Sequence, residues 1–300
     1  MPTASACVSG EPGGFPPVEG ADVSHRLVEV GGARLHVAEA GAGEPLVLIH
    51  GYPQHWWAWR RAMVHFAPTR RVICPDLRGF GWSDAPAGAP YDKESLLQDV
   101  IALLDALGVE RADVAGHDWG GWIAYLMGMQ HPDRVRRIVA LSIIHPFHRP
   151  TPRFAMSLWH LWHGQLLGLP GVGRWAADPR TIGGRLIARW LGAGSWTADE
   201  RRLFLGQFDD PARRLATHRL YADVRRTDMP RMLRGRYRRL RLEVPALLVV
   251  GSRDRCLLPN RISELNRYAP AMRMETVDAA HAVLEEEPQR AVELIDRFLQ

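Results

Sequence analysis

Short apolar, β-branched runs alternate along this chain with segments of helical periodicity, and the alternation stops for about a hundred residues before it resumes. LVLIH (46–50) and RVICPD (71–76) read as buried strands, whereas ESLLQDVIALLDALG (94–108) repeats Leu97, Val100, Ile101, Leu104 and Leu107 at helical spacing. ADVAG (112–116), a helix from about 119 to 130 and VRRIVALSII (135–144) continue the pattern. Such alternation builds a parallel sheet covered by helices on both faces. From His145 to about Leu242 the chain carries Trp, Arg, helix formers and breakers such as GLPGVG (168–173), and nothing there reads as a buried strand. The rhythm returns with PALLVVGSRD (245–254), a helix over 258–269, the strand MRMETVD (272–278) and the amphipathic helix PQRAVELIDRFLQ (288–300). Near the start, RLVEV (26–30) and RLHVAEA (34–40) flank the glycine pair 31–32 as a hairpin suited to an antiparallel edge.

The expected fold class is α/β, a mostly parallel central sheet flanked by helices and interrupted by a helical cap. Residues 1–24 read as a flexible N-terminal tail, 25–145 and 243–300 as the core domain, and 146–242 as the cap. Loops at the C-terminal edge of such a sheet share a crevice, so the ligand site is expected between that edge and the cap. With 46% hydrophobic and 24% charged residues, the composition is that of a soluble globular protein and excludes disordered and fibrous classes. The longest apolar runs fall short of the roughly 18 to 20 residues a membrane helix needs. The N-terminus has no basic segment leading into an apolar one, which points to a cytoplasmic protein. Cys7, Cys74 and Cys256 are scattered and unpaired in spacing, as reduced thiols are, and they form neither a metal motif nor a disulfide framework. The formal net charge is +5, and arginines crowd 213–241. They alternate with Leu, Met and Tyr as on solvated helix faces, and no nucleic-acid module accompanies them, so neither nucleic acid nor membrane is expected as a partner.

Gly116-His117-Asp118-Trp119-Gly120 stands between a strand and a helix in the G-x-nucleophile-x-G frame of a nucleophile elbow. So sharp a turn needs small residues two before and two after the central one. The helix start behind it offers N–H groups and the positive dipole end to an anion. An aspartate there is already ionised and can attack a saturated carbon without a base. The product is an alkyl ester of the enzyme, which water must then cleave. The backbone N–H of Trp119, directly after the nucleophile, is placed to serve an oxyanion.

Cleaving that ester takes a general base, and a neutral imidazole oriented by a carboxylate suits the task. Asp254 follows the apolar strand ALLVVG, and His281 lies in the loop between the last strand and the last helix. Nucleophile, acid and histidine thus occur in the chain order of the hydrolases that use this elbow.

HGYPQHWWAWR (50–60), PDLRGFGWSDAP (75–86), GHDWGG (116–121) and HPDRVRRIVAL (131–141) together resemble the epoxide hydrolase branch of the α/β-hydrolases, which is related to the haloalkane and fluoroacetate dehalogenases. The resemblance covers roughly residues 26–145 and 243–300 and implies an α/β-hydrolase fold. It also implies that the Tyr52 backbone N–H, shaped by Pro53, is an oxyanion donor and that His50 and His117 are structural. Relatives use two cap tyrosines to protonate the opened ring. Tyr221 in THRLYADVR resembles the second, and Tyr237 lies near the cap's end. At the first stands SLWHLWHGQLLGLPG (157–171), where His160 aligns best and Trp159 or His163 after a small shift in register.

The expected activity is therefore hydrolysis of epoxides to vicinal diols, with Asp118, Asp254, His281, Tyr221 and His160 catalytic. The alternative is dehalogenation with the same triad. Trp119 and Trp122 replace the arginines that bind a carboxylate in fluoroacetate dehalogenases, which implies a small, uncharged, fairly apolar substrate lined by Trp159, Trp162, His163 and Trp122. No metal or other cofactor is implied, and a homodimer is possible.

Overall fold

The computed structural model describes residues 14–147, 149, 158–257 and 265–300. Eight strands form one sheet in the order β1-β2-β4-β3-β5-β6-β7-β8. β1 (Ser24–Val30) and β2 (Ala33–Ala40) pair antiparallel through the Gly31–Gly32 turn, and β2 joins β4 (Arg70–Pro75) antiparallel. From there β3 (Glu44–Ile49), β5 (Ala112–His117) and β6 (Val135–Leu141) run parallel to β4. Strand residues alternate between two separate cores. Val47 and Ile49 of β3 pack on one face with Val100 and Leu104 of α2 (Lys93–Ala106) and Ile123 and Met127 of α3 (Trp119–Gln130). Leu46 and Leu48 pack on the other, against Trp56, Trp59, Met63 and Phe66. A sheet covered twice has no polar face, which is why these strands read as continuous apolar runs. The helical segment supplying those tryptophans, a 3₁₀ turn Trp56–Trp59 leading into α1 (Arg60–Phe66), was not expected from residue spacing.

Between β6 and β7 the described residues add only helices, among them α4 (Trp162–Leu167), α5 (Ile182–Trp190), α6 (Ala198–Gly206) and α7 (Pro211–Asp223). Their starts are written in the sequence. Thr181 accepts a hydrogen bond from the Gly184 N–H, Thr197 and Glu200 form a capping box, and Asp210 caps the helix that Pro211 opens. A π turn, Val224–Asp228, follows α7 directly. The arginines of this insertion fasten it to the loop before α2. Arg231 bonds Asp92 at 2.7 Å, Arg236 bonds Glu94 at 2.7 Å, and Arg219 donates to the Ala89 carbonyl at 3.1 Å.

The sheet is completed by β7 (Ala246–Gly251) and β8 (Met272–Val277), both parallel to β6, and α8 (Pro288–Leu299) buries Ile295 and Leu299 in the second core. The helix expected over 258–269 is described only at its end, Leu265–Tyr268. Cys74 and Cys256 are free thiols, and Cys7 lies outside the described residues. Among the described residues no helix is long and apolar enough to cross a membrane.

Candidate active site

The turn from β5 into α3 forces Asp118 to φ 49°, ψ −121°, a backbone region that costs any side chain energy. Its neighbours leave no room. A Cβ added at Gly116 would lie 2.2 Å from the Gly120 carbonyl oxygen, and one at Gly120 would lie 2.1 Å from that of Ile49. Both obstacles are backbone, so Gly120→Ala should fail to give soluble protein, or should lower the melting temperature by many degrees, as differential scanning fluorimetry would record.

Held this way, the Asp118 carboxylate sits at the C-terminal edge of the sheet, 8% exposed. Oδ2 accepts a hydrogen bond from the Tyr52 N–H at 3.0 Å, and Oδ1 lies 3.9 Å from His281 Nε2. Burial pushes the carboxyl up to about 6, against the pull of His281, of the Tyr52 and Trp119 N–H groups and of Lys93. His281 is positioned from the loop after β8, where its Nδ1–H donates to Asp254 Oδ2 at 3.0 Å. Asp254 is itself fixed after β7 by the N–H groups of Cys256 (2.7 Å) and Leu257 (3.1 Å), both on Oδ1. Burial works against a charged imidazole, yet Asp254 and Asp118 outweigh it and raise His281 to about 9. With Nδ1 committed to Asp254, Nε2 is the atom turned toward Asp118 and is otherwise without a hydrogen bond.

Two further histidines brace this frame. His117 Nε2 donates to the His281 carbonyl at 2.9 Å. His50 donates from Nδ1 to the Gly51 carbonyl at 3.0 Å and accepts at Nε2 from the Leu77 N–H at 2.9 Å. Both therefore have structural partners. Asp254, Cys256 and His281 also bring potential metal-ligand atoms within 4.8 Å of one another, but the Asp254–His281 hydrogen bond already occupies two of the three.

Above Asp118 lies a cavity of about 70 Å³, lined by Trp119, Trp122, Ile143, Leu161, His163 and Met229, among others, and reached by His281 from below. Tyr221 of α7 is not among the lining residues but is buried against two of them, its ring edge-on to Trp119 (5.6 Å) and His163 (6.2 Å), and also to Tyr52 (5.5 Å). Burial and then Asp118 push its hydroxyl well above the ordinary phenol range, so it is a protonated donor. The His163 imidazole is held neutral, down to about 3, by burial and then by His281.

A family model described as alpha/beta hydrolase fold matches residues 44–288. The chain belongs to the α/β-hydrolases. It is 40% identical over 123 residues, 41% of this chain and 43% of the relative, to a soluble epoxide hydrolase of Corynebacterium sp. (strain C12). To a fluoroacetate dehalogenase of Burkholderia sp it is 33% identical over 201 residues, 62% of this chain and 64% of the relative. The solved structure of the epoxide hydrolase CorEH superposes with a TM-score of 0.77 at 25% identity, covering 92% of this chain and 98% of that one. Among the first curated relatives the match spans less than half of each relative's length.

In this α/β-hydrolase the expected cap residues are not all brought to the cavity. Trp159 is 79% exposed and is no part of the lining, and His160 is half-buried and outside it, so His163 is the histidine of this segment that reaches the site. The segment opens as a 3₁₀ turn, Leu158–Leu161, in which residues three apart share a face. Trp162 and His163 begin the helix that follows it, and of the two histidines only His163 is buried. Trp162 packs between Trp190 (5.9 Å) and His163 (6.3 Å) and does not line the cavity. Tyr237 is buried against Trp122 at 6.2 Å, also outside the lining. Trp122 is a lining residue, as expected.

Two groups near the site were not anticipated. Asp228, at the end of the π turn, joins the lining, and the side chain of Lys93, the first residue of α2, is fully buried beneath Trp119. The available signal was compositional: Lys93 is the single lysine among 38 basic residues.

Proposed function

We propose that this α/β-hydrolase opens compact epoxides to vicinal diols through a covalent ester on Asp118. The observation that carries the reading is the division of labour between the two carboxylate oxygens, Oδ2 held by the Tyr52 N–H and Oδ1 facing His281. Oδ1 attacks a ring carbon, the carbon–oxygen bond of the ring breaks, and the electron pair goes to the ring oxygen. Tyr221 gives that oxygen a proton, and the adjacent His163 supports the phenol's orientation. Oδ2 is now the ester carbonyl oxygen and already occupies the place where an oxyanion needs its donors.

Ester formation also switches the base on. The Asp118 charge is one of the causes that hold a proton on His281, and it vanishes when the carboxylate becomes an ester. The proton that His281 sheds replaces the one Tyr221 gave. Neutral His281 then takes a proton from water, which attacks the Asp118 carbonyl carbon. The Tyr52 and Trp119 N–H groups stabilise the oxyanion, the diol leaves with the proton from His281, and the Asp118 acid returns its own to the imidazole. The lining, rich in Trp, Ile, Leu and Met, suits a small uncharged and fairly apolar substrate.

Dehalogenation is the second reading, favoured by the indole N–H of Trp122, buried at the cavity without a hydrogen-bond partner among the described residues. A departing halide needs such donors and no proton. Turnover of 1,2-epoxybutane and 1-bromobutane, scored side by side for diol and bromide, decides between them. Diol without bromide supports the epoxide reading, bromide without diol replaces it, and neither product sinks both. Tyr221→Phe separates them further. It should slow diol formation by about 100-fold, the usual scale for losing a general acid, while leaving any bromide release unchanged.

A further inference from the structure

Lys93 stands where a cation is least welcome. It is the first residue of α2, at the positive end of the helix dipole, and its side chain is fully buried. Nζ has no hydrogen-bond partner; its compensations are the Trp119 ring face at 4.0 Å and Asp228 Oδ2 at 3.9 Å. The insertion reinforces the arrangement, because both Asp228 carboxylate oxygens also accept from the Lys93 backbone N–H at 3.2 Å. A chain that uses arginine at its 37 other basic positions places its single lysine here.

We propose that Lys93 is a positioning residue for the nucleophile: its buried ammonium, laid against Trp119 and anchored by Asp228 of the insertion, holds the Asp118 carboxyl in the ionised form that attacks. The proposal rests on the reading of Asp118 as nucleophile. Trp119 links the two ends, since one face of its ring meets the ammonium and its backbone N–H serves Asp118. Every other charge in view has been placed. His281 and Asp254 face Asp118 from the loops after β8 and β7, while Tyr221, His163 and Cys256 are neutral there. Burial pulls the Lys93 amine below its ordinary value, and Asp228, then Asp118, Asp92 and Asp223 oppose that pull, with Arg231 bound to Asp92 behind them. The sign follows directly. A positive charge favours the carboxylate, so its removal lets Asp118 hold its proton to higher pH.

The test is the rate of Asp118 alkylation by 1,2-epoxybutane against pH in a His281→Gln background, where the ester is not cleared, read as adduct mass after rapid quenching. Adding Lys93→Met should move the acid limb of that background upward by roughly half a unit to one unit, as loss of one nearby charge does. The curves should converge above pH 8, and Lys93→Arg should restore the background's limb even at a lower plateau. A variant slowed equally at all pH values would make Lys93 structural and overturn the proposal. In the parent protein, selective ¹⁵Nζ labelling gives a single lysine signal, and an amine that is already neutral at pH 6 would overturn it without any substitution. An adduct with an unmoved limb removes this inference alone, whereas no adduct in the His281→Gln background removes the nucleophile reading with it.

Discussion

Asp118→Ala is expected to lower turnover by at least about 10⁴-fold, the scale seen when a covalent nucleophile is removed from a site that otherwise stays intact. No other group near the cavity can take over. Burial, followed by Asp254 and Asp118, holds the Cys256 thiol well above the ordinary range and therefore protonated, and Asp228, the other carboxylate of the lining, has both oxygens engaged by the Lys93 N–H. The protein should nevertheless stay folded and melt no lower than the parent. Asp118 is a carboxylate that burial disfavours, at a strained φ of 49°, and alanine removes the first of these costs. Two measurements check this together: diol release, and the melting temperature by scanning calorimetry. Retained turnover would show that a different group forms the covalent bond. A lost activity accompanied by a lower melting temperature would leave the loss attributable to the fold and would contradict the expectation that burying this charge destabilises.

Asp118, Asp254 and His281 could be expected together from the sequence because each hangs on a strand end, and strand ends are the best-marked points in an α/β chain. β5, β7 and β8 are apolar runs with abrupt limits, and Asp118, Asp254 and His281 follow them at one, three and four residues. The elbow glycines added a steric signature that few other turns share. The insertion gave no such anchor. Its segment around 157–171 repeats a Trp-His pair three residues apart, and alignment to the family's first cap tyrosine favoured His160 and left His163 to a small shift in register; His163 is the residue that lines the cavity. Tyr221 was found because resemblance pointed to it; its amphipathic helix alone would have read as packing. The tryptophan-rich helix over 56–66 was missed because it opens as a 3₁₀ turn of three tryptophans, and only Arg61 and His65 in its second half mark the exposed face. Lys93 broke a local rule, a cation at a helix start. Such conflicts between local preference and final placement concentrate at functional sites.

His281→Gln should separate the two halves of the reaction. Glutamine cannot accept a proton from water, so ester hydrolysis should slow by about 10³-fold, within the usual range for a missing general base. Alkylation does not use that base, because Asp118 is ionised without it. The substitution does act on the first half indirectly. His281 lowers the Asp118 proton affinity, and without it the carboxyl should rise above its value of about 6. The variant's alkylation should therefore lose its acid limb at a higher pH than the parent's, and near pH 8 it should run at close to the parental rate. Mixed with excess 1,2-epoxybutane at pH 8, His281→Gln should give a burst of diol-free adduct, heavier than the protein by one intact epoxide and mapped by peptide fragmentation to Asp118. The parent should show little adduct under the same conditions, because water removes it as fast as it forms. An adduct on Cys256 or on a histidine, or none in either protein, would break the link between the carboxylate geometry and the chemistry argued from it. An adduct on Asp118 that clears at the parental rate would leave Asp118 as nucleophile and move the role of base to another group near the cavity.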